Sequence, residues 1–235
     1  MNKHYAYNSP FKMKDDEGNE YTLTVEQDDG VEDPREWDNL CTMVCWHSRY
    51  RLGDKHRYDD ADEFLESLLC EVCGFDVADI ETLPTIDKYM LVCESDKLII
   101  KNINLYDHGG ITISTSNGYP YNDRWDGGRI GFIYVAKETI LKEIANANEV
   151  NWTAIADEVI ENEMETYDQY LRGDVYWFRL EKKVVKQDLC PHCGEVIREY
   201  ETAKEVDSCG GFYGDCLEEN GILDNLPRGI KFVRD

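Results

Sequence analysis

Basic side chains are scarce in this chain. Its 235 residues include 25 Lys and Arg against 49 Asp and Glu, which gives a formal charge of −24. Self-repulsion of this size disfavours a compact state, but the same charge keeps a protein in solution and attracts positively charged partners. Nucleic acid would be repelled, because its phosphates carry the same sign of charge. We therefore expect a basic protein surface as partner and no direct binding to nucleic acid, with an ordinary acidic surface as the simpler interpretation.

Long apolar segments are also missing. No apolar run approaches the ~18 residues that a membrane-spanning helix needs. The first six residues, MNKHYA, lack the apolar core of a signal peptide. We therefore expect a cytoplasmic protein that does not bind membranes. In such a reducing compartment, the nine cysteines indicate free thiols or a metal site before disulfides.

The signatures of several common enzyme classes are absent as well. The sequence contains no GxxxxGK[ST] loop for nucleotide phosphates, no GxSxG nucleophile turn and no strand-linked GxGxxG fingerprint. These classes therefore have no support in the sequence, and a non-enzymatic function becomes the leading expectation.

The apolar content is high enough to form a folded core: 42% of the residues are hydrophobic and 11% are aromatic. The order of strand and helix patterns predicts an α+β fold, a single mixed domain with a central, mostly antiparallel sheet flanked by helices. Three segments are expected. They are an N-terminal hairpin and acidic loop (1–36), an α+β core (37–186), and a small C-terminal element with a Cys-bearing hairpin, packed on the core (187–235).

Several local patterns support this fold. An apolar stripe from Phe64 to Val72 predicts a helix that Asp60 or Asp62 caps and Gly74 ends. A long helix is predicted over 152–171, because its apolar residues recur at helical spacing. Residues 90–116 resemble β-structure, and the apolar run at 89–93 is its first expected strand.

Acidic residues that a partner could contact occur in two places. The first is the loop at 28–38, and the second is one face of the 152–171 helix, where acidic residues recur four apart. A row at this spacing weakens a helix only slightly, and a solvated helix face is the simpler interpretation. The candidate partner-binding residues are Asp28, Asp29, Glu32, Asp33, Asp157, Glu158, Glu161, Glu165 and Asp168, with Trp125 as an aromatic anchor.

The cysteines suggest one structural metal site. Cys190 and Cys193 form a Cys-Pro-His-Cys-Gly turn typical of zinc knuckles, and Cys209 and Cys216 are the candidate third and fourth ligands. Six residues lie between the cysteines of the second pair, a wider spacing than the usual zinc pattern, so reduced cysteines in a surface hairpin remain the alternative. A zinc held by four protein ligands would be structural, because no coordination position is left for a substrate.

A second group of residues has the composition of a catalytic metal centre. Imidazole and carboxylate groups can share a divalent ion that activates water. Their spacing matches no HExxH or comparable signature, and turn-forming roles are the simpler interpretation. The candidates are His47, Asp54, His56, Asp107 and His108.

Five groups of motifs between about residues 37 and 221 resemble a widespread family of uncharacterised proteins encoded by bacteriophages and plasmids. The resemblance implies a mobile-element origin and a bacterial host cytoplasm, but it implies no reaction. The motifs are TMVCWH (42–47) with YRLGD (50–54), YDHGGITISTS (106–116), WDGG (125–128) with GFIYV (131–135), YDQYLRGDVY (167–176) and DSCGGFYGD (207–215).

The sequence therefore predicts an acidic inhibitor or interaction protein. By electrostatic mimicry it would block a basic, nucleic-acid-binding surface of a host defence complex. One alternative is a metal-dependent hydrolase of nucleotides or nucleic acid that uses the His and Asp group above. A second alternative is a protein that sequesters a signalling nucleotide, although the shortage of basic residues disfavours a phosphate pocket.

Overall fold

The computed structural model describes residues 3–115 and 127–233. The chain divides into two compact units, one formed by Met1–Glu32 with Gly173–Asp235 and the other by Asp33–Arg172. These units differ from the three expected segments, because the N-terminal hairpin pairs with a strand near residue 180 and so joins the C-terminal part of the chain. Boundaries at residues 36 and 186 therefore coincide with neither unit.

The described residues form nine strands and six α-helices, which confirms the α+β class. Within these residues, every helix is too short or too polar to span a lipid bilayer. The elements in chain order are β1 (Phe11–Lys14), β2 (Glu20–Gln27), β3 (Thr42–Cys45), α1 (Ala61–Leu68), α2 (Val77–Ile80), α3 (Thr85–Glu94), β4 (Leu98–Asp107), β5 (Ile111–Ser114), β6 (Gly127–Ala136), α4 (Lys137–Glu143), α5 (Trp152–Arg172), β7 (Val175–Leu189), β8 (Val196–Tyr213), α6 (Ile222–Asn225) and β9 (Lys231–Phe232).

The first unit contains a five-stranded antiparallel sheet in the order β8-β7-β2-β1-β9. Its core forms around the fully buried Leu23, Phe178 and Leu180, which β2 and β7 bring together. The long β7–β8 pair is the predicted Cys-bearing hairpin, and Cys190 and Cys193 lie in the turn between its strands.

The second unit contains a four-stranded antiparallel sheet in the order β3-β6-β4-β5, so the strands form two sheets in place of one central sheet. Successive residues of this sheet point to opposite faces. Met43 and Ile133 belong to a core that α5 covers. Their neighbours Val44 and Phe132 belong to a second core, which α1, α2 and α3 cover.

The structure confirms the predicted cap and end of the first helix and the apolar side of the long helix. The Asp60 carboxylate accepts hydrogen bonds from the backbone N–H groups of Asp62 and Glu63 and so caps α1. A π-helical turn, Leu69–Cys73, extends α1 and ends at Gly74, whose φ of +85° is the left-handed conformation that glycine adopts most readily. The apolar side of α5 is buried, as its periodicity predicts.

The strand expected at 89–93 is wrong, because these residues belong to α3. The apolar run there is short, and a short apolar run has no period that separates a strand from a helix. In the fold, Lys88 and Val92 lie one helical turn apart and are both buried. Tertiary packing against α1 therefore decides the conformation.

Candidate functional site

The most acidic surface of the second unit is a helical layer formed by residues 59–96, which include α1, α2 and α3. This segment contains twelve Asp and Glu residues but only one basic residue, Lys88. Its apolar side chains, such as Phe64, Leu65 and Val92, are buried against the sheet, so the carboxylates are left on the outside. We call this surface the acidic helical layer.

Lys88 does not neutralise the outside of this layer, because its side chain is only 1% exposed. Its ammonium group donates hydrogen bonds of 2.8 Å to the carboxylates of Asp62 and Glu66. Burial alone would lower the pKa of Lys88, but these two bonds outweigh it and raise the pKa. The same bond from Lys88, followed by one from Thr85, lowers the pKa of Asp62. The pair of carboxylates therefore clamps α3 to α1.

Most carboxylates of the acidic helical layer lack a cation partner. Glu71 pairs with Arg57 and Asp96 with Lys97, in addition to the two carboxylates at Lys88. The other eight form no ion pair in the described part of the chain. They are Asp59, Asp60, Glu63, Asp76, Asp79, Glu81, Asp87 and Glu94.

The same layer exposes large apolar side chains. Val77 is 50% exposed and Ile86 is 60% exposed, and Phe75 and Met90 also face solvent. Ile86 and Met90 are four residues apart on α3, so they share one side of the helix. Apolar side chains surrounded by charge are typical of protein-binding surfaces.

The acidic face predicted on α5 is largely used inside the fold. Lys101 on β4 pairs with Asp157 and Glu161 at 2.8 and 2.9 Å. Asp168 accepts hydrogen bonds from the side chain of Thr112 and from the backbone N–H of Ile113, both on β5. These carboxylates attach the helix to the sheet, whereas Glu165, the third member of the expected row, is exposed.

The remaining predicted partner contacts differ in their surroundings. Glu158 and Glu165 are exposed on α5, and Asp29 and Glu32 are exposed in the acidic loop. Asp28 accepts hydrogen bonds from the backbone N–H groups of Gly30 and Gly211, so it stabilises a turn. Asp33 caps the short 3₁₀ turn Pro34–Glu36. Trp125 lies outside the described residues.

Arg35 and Glu163, which the sequence analysis did not select, hold a second feature of this unit together. The Arg35 side chain is 3% exposed and donates two hydrogen bonds to Asp54, at 2.8 and 3.0 Å. It donates a third to Glu163 at 2.9 Å and a fourth to the carbonyl oxygen of Cys41 at 2.8 Å. Burial by itself lowers the pKa of this guanidinium, but the two carboxylates reverse that effect and raise it.

The Arg35 network anchors the segment that follows β3. Asp54 also accepts a hydrogen bond from the backbone N–H of Met43. Gly53 has a φ of +73°, and a Cβ atom there would lie 2.6 Å from the carbonyl oxygen of Met43. Glycine is therefore required at this position, and the YRLGD motif has a structural explanation.

A cleft of about 950 Å³ lies beside this anchored segment. Its lining includes the aromatic side chains of Trp46 and Tyr50 and the cation Arg51. His56 also contributes, and its Nε2 atom lies 3.0 Å from the carbonyl oxygen of Cys45. Nε2 must carry the proton to donate this bond, which leaves Nδ1 as an acceptor. Nδ1 is buried without a hydrogen-bond partner among the described residues.

The five residues suggested for a catalytic metal are used separately. Asp54 binds Arg35, and Asp107 binds Arg49 and the hydroxyl of Tyr50. His47 accepts hydrogen bonds from the backbone N–H groups of Arg49 and Tyr50. His56 has the contacts given above, and His108 lies in the β4–β5 turn. In residues 3–115 and 127–233, no group of three or more His, Cys, Asp or Glu side chains is arranged to hold a metal ion.

The four cysteines suggested for zinc are also not brought together. Cys190 and Cys193 lie in the turn of the β7–β8 hairpin. Cys209 pairs with Phe178 near the opposite end of the hairpin, far from this turn. Cys209 lies thirteen positions after Val196 on β8, a distance of about 40 Å along the strand. Cys216 is buried beyond the end of β8 and bridges to Tyr5. The four thiols are therefore not gathered at one place in the described residues.

Comparisons of the chain with protein-family models, curated proteins and solved structures give no match.

Proposed function

We propose that this protein acts without catalysis, by binding a basic, nucleic-acid-binding surface of a host defence complex through electrostatic mimicry. The observation that carries the proposal is the composition of the acidic helical layer, with twelve carboxylates and one buried cation. A surface of one sign attracts an oppositely charged partner and accelerates their association.

The distribution of ion pairs favours this layer over the acidic face of α5 that was selected from the sequence. On α5, cations contact four of the six carboxylates: Lys101 contacts Asp157 and Glu161, Arg35 contacts Glu163, and Arg172 contacts Asp168. In the acidic helical layer, eight of the twelve carboxylates have no ion pair within the described residues. The negative field outside the layer is therefore stronger for the same number of residues.

The exposed apolar residues of the layer would slow dissociation of the complex, which charge alone does not do. Charged groups at the rim of an interface mainly set the association rate, whereas buried apolar contacts slow dissociation. Ile86, Met90 and Val77 lie among the unpaired carboxylates and would become buried in such an interface. The resemblance to mobile-element proteins supports a host defence protein as the class of partner.

The test compares two double variants with the same change in charge. The Asp79→Lys, Asp87→Lys variant reverses two unpaired carboxylates of the acidic helical layer. The Glu158→Lys, Glu165→Lys variant reverses two exposed carboxylates on α5. We expect the first variant to lose at least tenfold in affinity for a partner purified on the wild-type protein, because like charges would face each other. We expect less than a threefold loss from the second.

A similar loss in both variants would mean that only the total charge matters. Unchanged binding in both would mean that neither helix surface contacts the partner. Either result contradicts the proposal. Circular dichroism of each variant should match the wild type, since all four substituted residues are exposed.

The cleft beside Trp46 supports a second candidate function, the sequestration of a small nucleotide. Its volume of about 950 Å³ lies within the range of small-molecule sites. Arg51 is exposed at the cleft and forms no ion pair among the described residues, so it is available for a phosphate. The rings of Trp46 and Tyr50 could stack on a base.

Calorimetric titration with AMP, ADP and cyclic dinucleotides tests this second function. If one of them binds, Arg51→Ala should weaken it about tenfold, the value of one charge-assisted hydrogen bond. Arg198→Ala, which removes an exposed arginine from the other unit, should leave binding unchanged. Absence of heat from every nucleotide would reject the nucleotide function.

A further inference from the structure

The β7–β8 hairpin continues beyond the sheet to which it belongs. Strand β2 pairs with β7 only as far as Lys182, and from there β7 pairs with β8 alone up to Leu189. The free part is a two-stranded ribbon about 20 Å long, and most of its residues are exposed. A two-stranded ribbon by itself is at best marginally stable in water.

The tip of this ribbon has the geometry of a metal-binding knuckle. The backbone N–H of Cys190 donates a hydrogen bond to the carbonyl oxygen of Glu195 at 2.7 Å. The backbone N–H of Gly194 donates one to the carbonyl oxygen of Cys190 at 2.9 Å. Gly194 has a φ of +75°, which closes the turn. The backbone N–H groups of His192 and Cys193 donate hydrogen bonds to the sulfur of Cys190, so the turn closes around this sulfur.

The tip supplies only part of a zinc site. A structural zinc takes four ligands in a tetrahedron, and thiolates are the most common of them. Cys190 and Cys193 provide two, and within the described residues no third side chain completes a metal-binding group. The next cysteine along the hairpin is about 40 Å away, as measured along β8. Two ligands must therefore come from outside the chain.

The surface of the ribbon is suited to another copy of the same chain. Residues 182–204 contain five basic and four acidic side chains, although the whole chain has a charge of −24. Two copies repel each other least where this nearly neutral segment of one meets that of the other. Leu189 and Val196, which flank the knuckle and pair with each other, are each at least half exposed and would be covered by such a contact.

We propose that two copies of this chain meet at their hairpin tips and share one Zn²⁺, held by Cys190 and Cys193 of each copy. Each thiol loses its proton on binding, so the ion is coordinated by four thiolates. This metal-bridged pairing goes beyond the proposed function and does not depend on it.

The experiment adds zinc chloride to the reduced, full-length protein and measures both the zinc content and the molar mass in solution. We expect saturation at one zinc per two chains, a dimer at that point, and a return to monomer when a chelator is added. Cobalt substituted for zinc should show the absorption of a tetrahedral four-thiolate site. Cys190→Ser and Cys193→Ser should each abolish both the metal and the dimer.

Cys209→Ser is the matched control, because Cys209 is an exposed cysteine on β8 outside the tip. This variant should bind zinc and dimerise like the wild type. One zinc per monomeric chain, no bound zinc, a dimer that survives the chelator, or loss of zinc in Cys209→Ser would each overturn the proposal. If a tip variant unfolds, the cobalt spectrum and the stoichiometry of the wild-type protein still decide between these outcomes.

Discussion

Helix α5 and the acidic helical layer are both rich in carboxylates, yet their carboxylates have different roles. Three of those on α5 contact cations that come from other elements, namely Arg35 before β3 and Lys101 on β4. In the layer, two carboxylates contact the buried Lys88, two pair with the exposed Arg57 and Lys97, and the other eight form no ion pair among the described residues. Spacing along a helix therefore does not determine whether a carboxylate is free for a partner. A carboxylate is free only where no distant segment of the chain places a cation beside it.

The largest expected effect comes from removing the cation that α5 shares with the segment after β3. Arg35→Met would leave Asp54 and Glu163 close together and only partly hydrated. Breaking such a buried ion pair costs about 3–5 kcal/mol of unfolding free energy. Urea-induced unfolding followed by circular dichroism measures the loss. Arg35→Lys should recover only part of it, because lysine cannot form the two-pronged bond to Asp54.

A destabilisation below 1 kcal/mol in Arg35→Met would show that the network is not essential. The carboxylates of α5 would then resemble those of the layer more than the geometry indicates.

The next largest effect is expected at the one cation of the acidic helical layer. Lys88→Met keeps the buried side-chain volume but leaves Asp62 and Glu66 without their shared partner. Because both carboxylates are partly exposed and can be hydrated, we expect a loss of about 2 kcal/mol. The same urea experiment measures it, and Lys97→Met, which removes an exposed lysine next to the layer, is the control with little effect.

A gain of stability in Lys88→Met would contradict this expectation. It would mean that desolvation of the ammonium group outweighs its two hydrogen bonds.

The same pair predicts a dependence on pH. Hydrogen bonding to Lys88 lowers the pKa of Asp62 in the folded state. A lowered pKa stabilises the fold fully above the ordinary value of 3.8, and this stabilisation is lost as the pH falls through the lower folded value. The difference in stability between wild type and Lys88→Met should therefore be large at pH 6 and smaller at pH 3. A difference that does not change with pH would assign the effect to packing alone.

The smallest effect is expected at Lys101, the partly exposed counterpart of Lys88 on the α5 side. Asp157 and Glu161 are both about half exposed, so the ion pairs that Lys101 forms with them are largely screened by water. Lys101→Met should cost about 0.5 kcal/mol, and less in 1 M salt. An effect as large as that of Lys88→Met would remove the distinction between the two surfaces.

Local features of this fold could be predicted from the sequence, and long-range pairing could not. The Asp60 cap, Gly74 at the helix end and the apolar side of α5 are short-range signals that the structure confirms. The pairing of β2 with β7 joins residues about 150 positions apart, and no local pattern encodes it. The division into two units therefore depends on long-range strand pairing that no short stretch of the sequence encodes.

The same limit applies to the candidate site. The spacing of Asp157, Glu161 and Glu165 is visible in the sequence, but the Lys101 side chain that contacts two of them comes from β4. Arg35 is an isolated basic residue in an acidic segment, which gave no signal by itself. The acidic helical layer could have been found from composition, because a single lysine among the twelve carboxylates of 59–96 is unusual even for this acidic chain.

The most direct test of the central claim is a competition between this protein and duplex DNA for the purified partner, repeated at increasing salt. The account predicts that the protein displaces the DNA and that its affinity falls steeply with salt. The Asp79→Lys, Asp87→Lys variant should show a shallower salt dependence, and Glu158→Lys, Glu165→Lys should behave like the wild type. A partner that binds this protein and DNA at the same time, with an affinity independent of salt, would contradict the account.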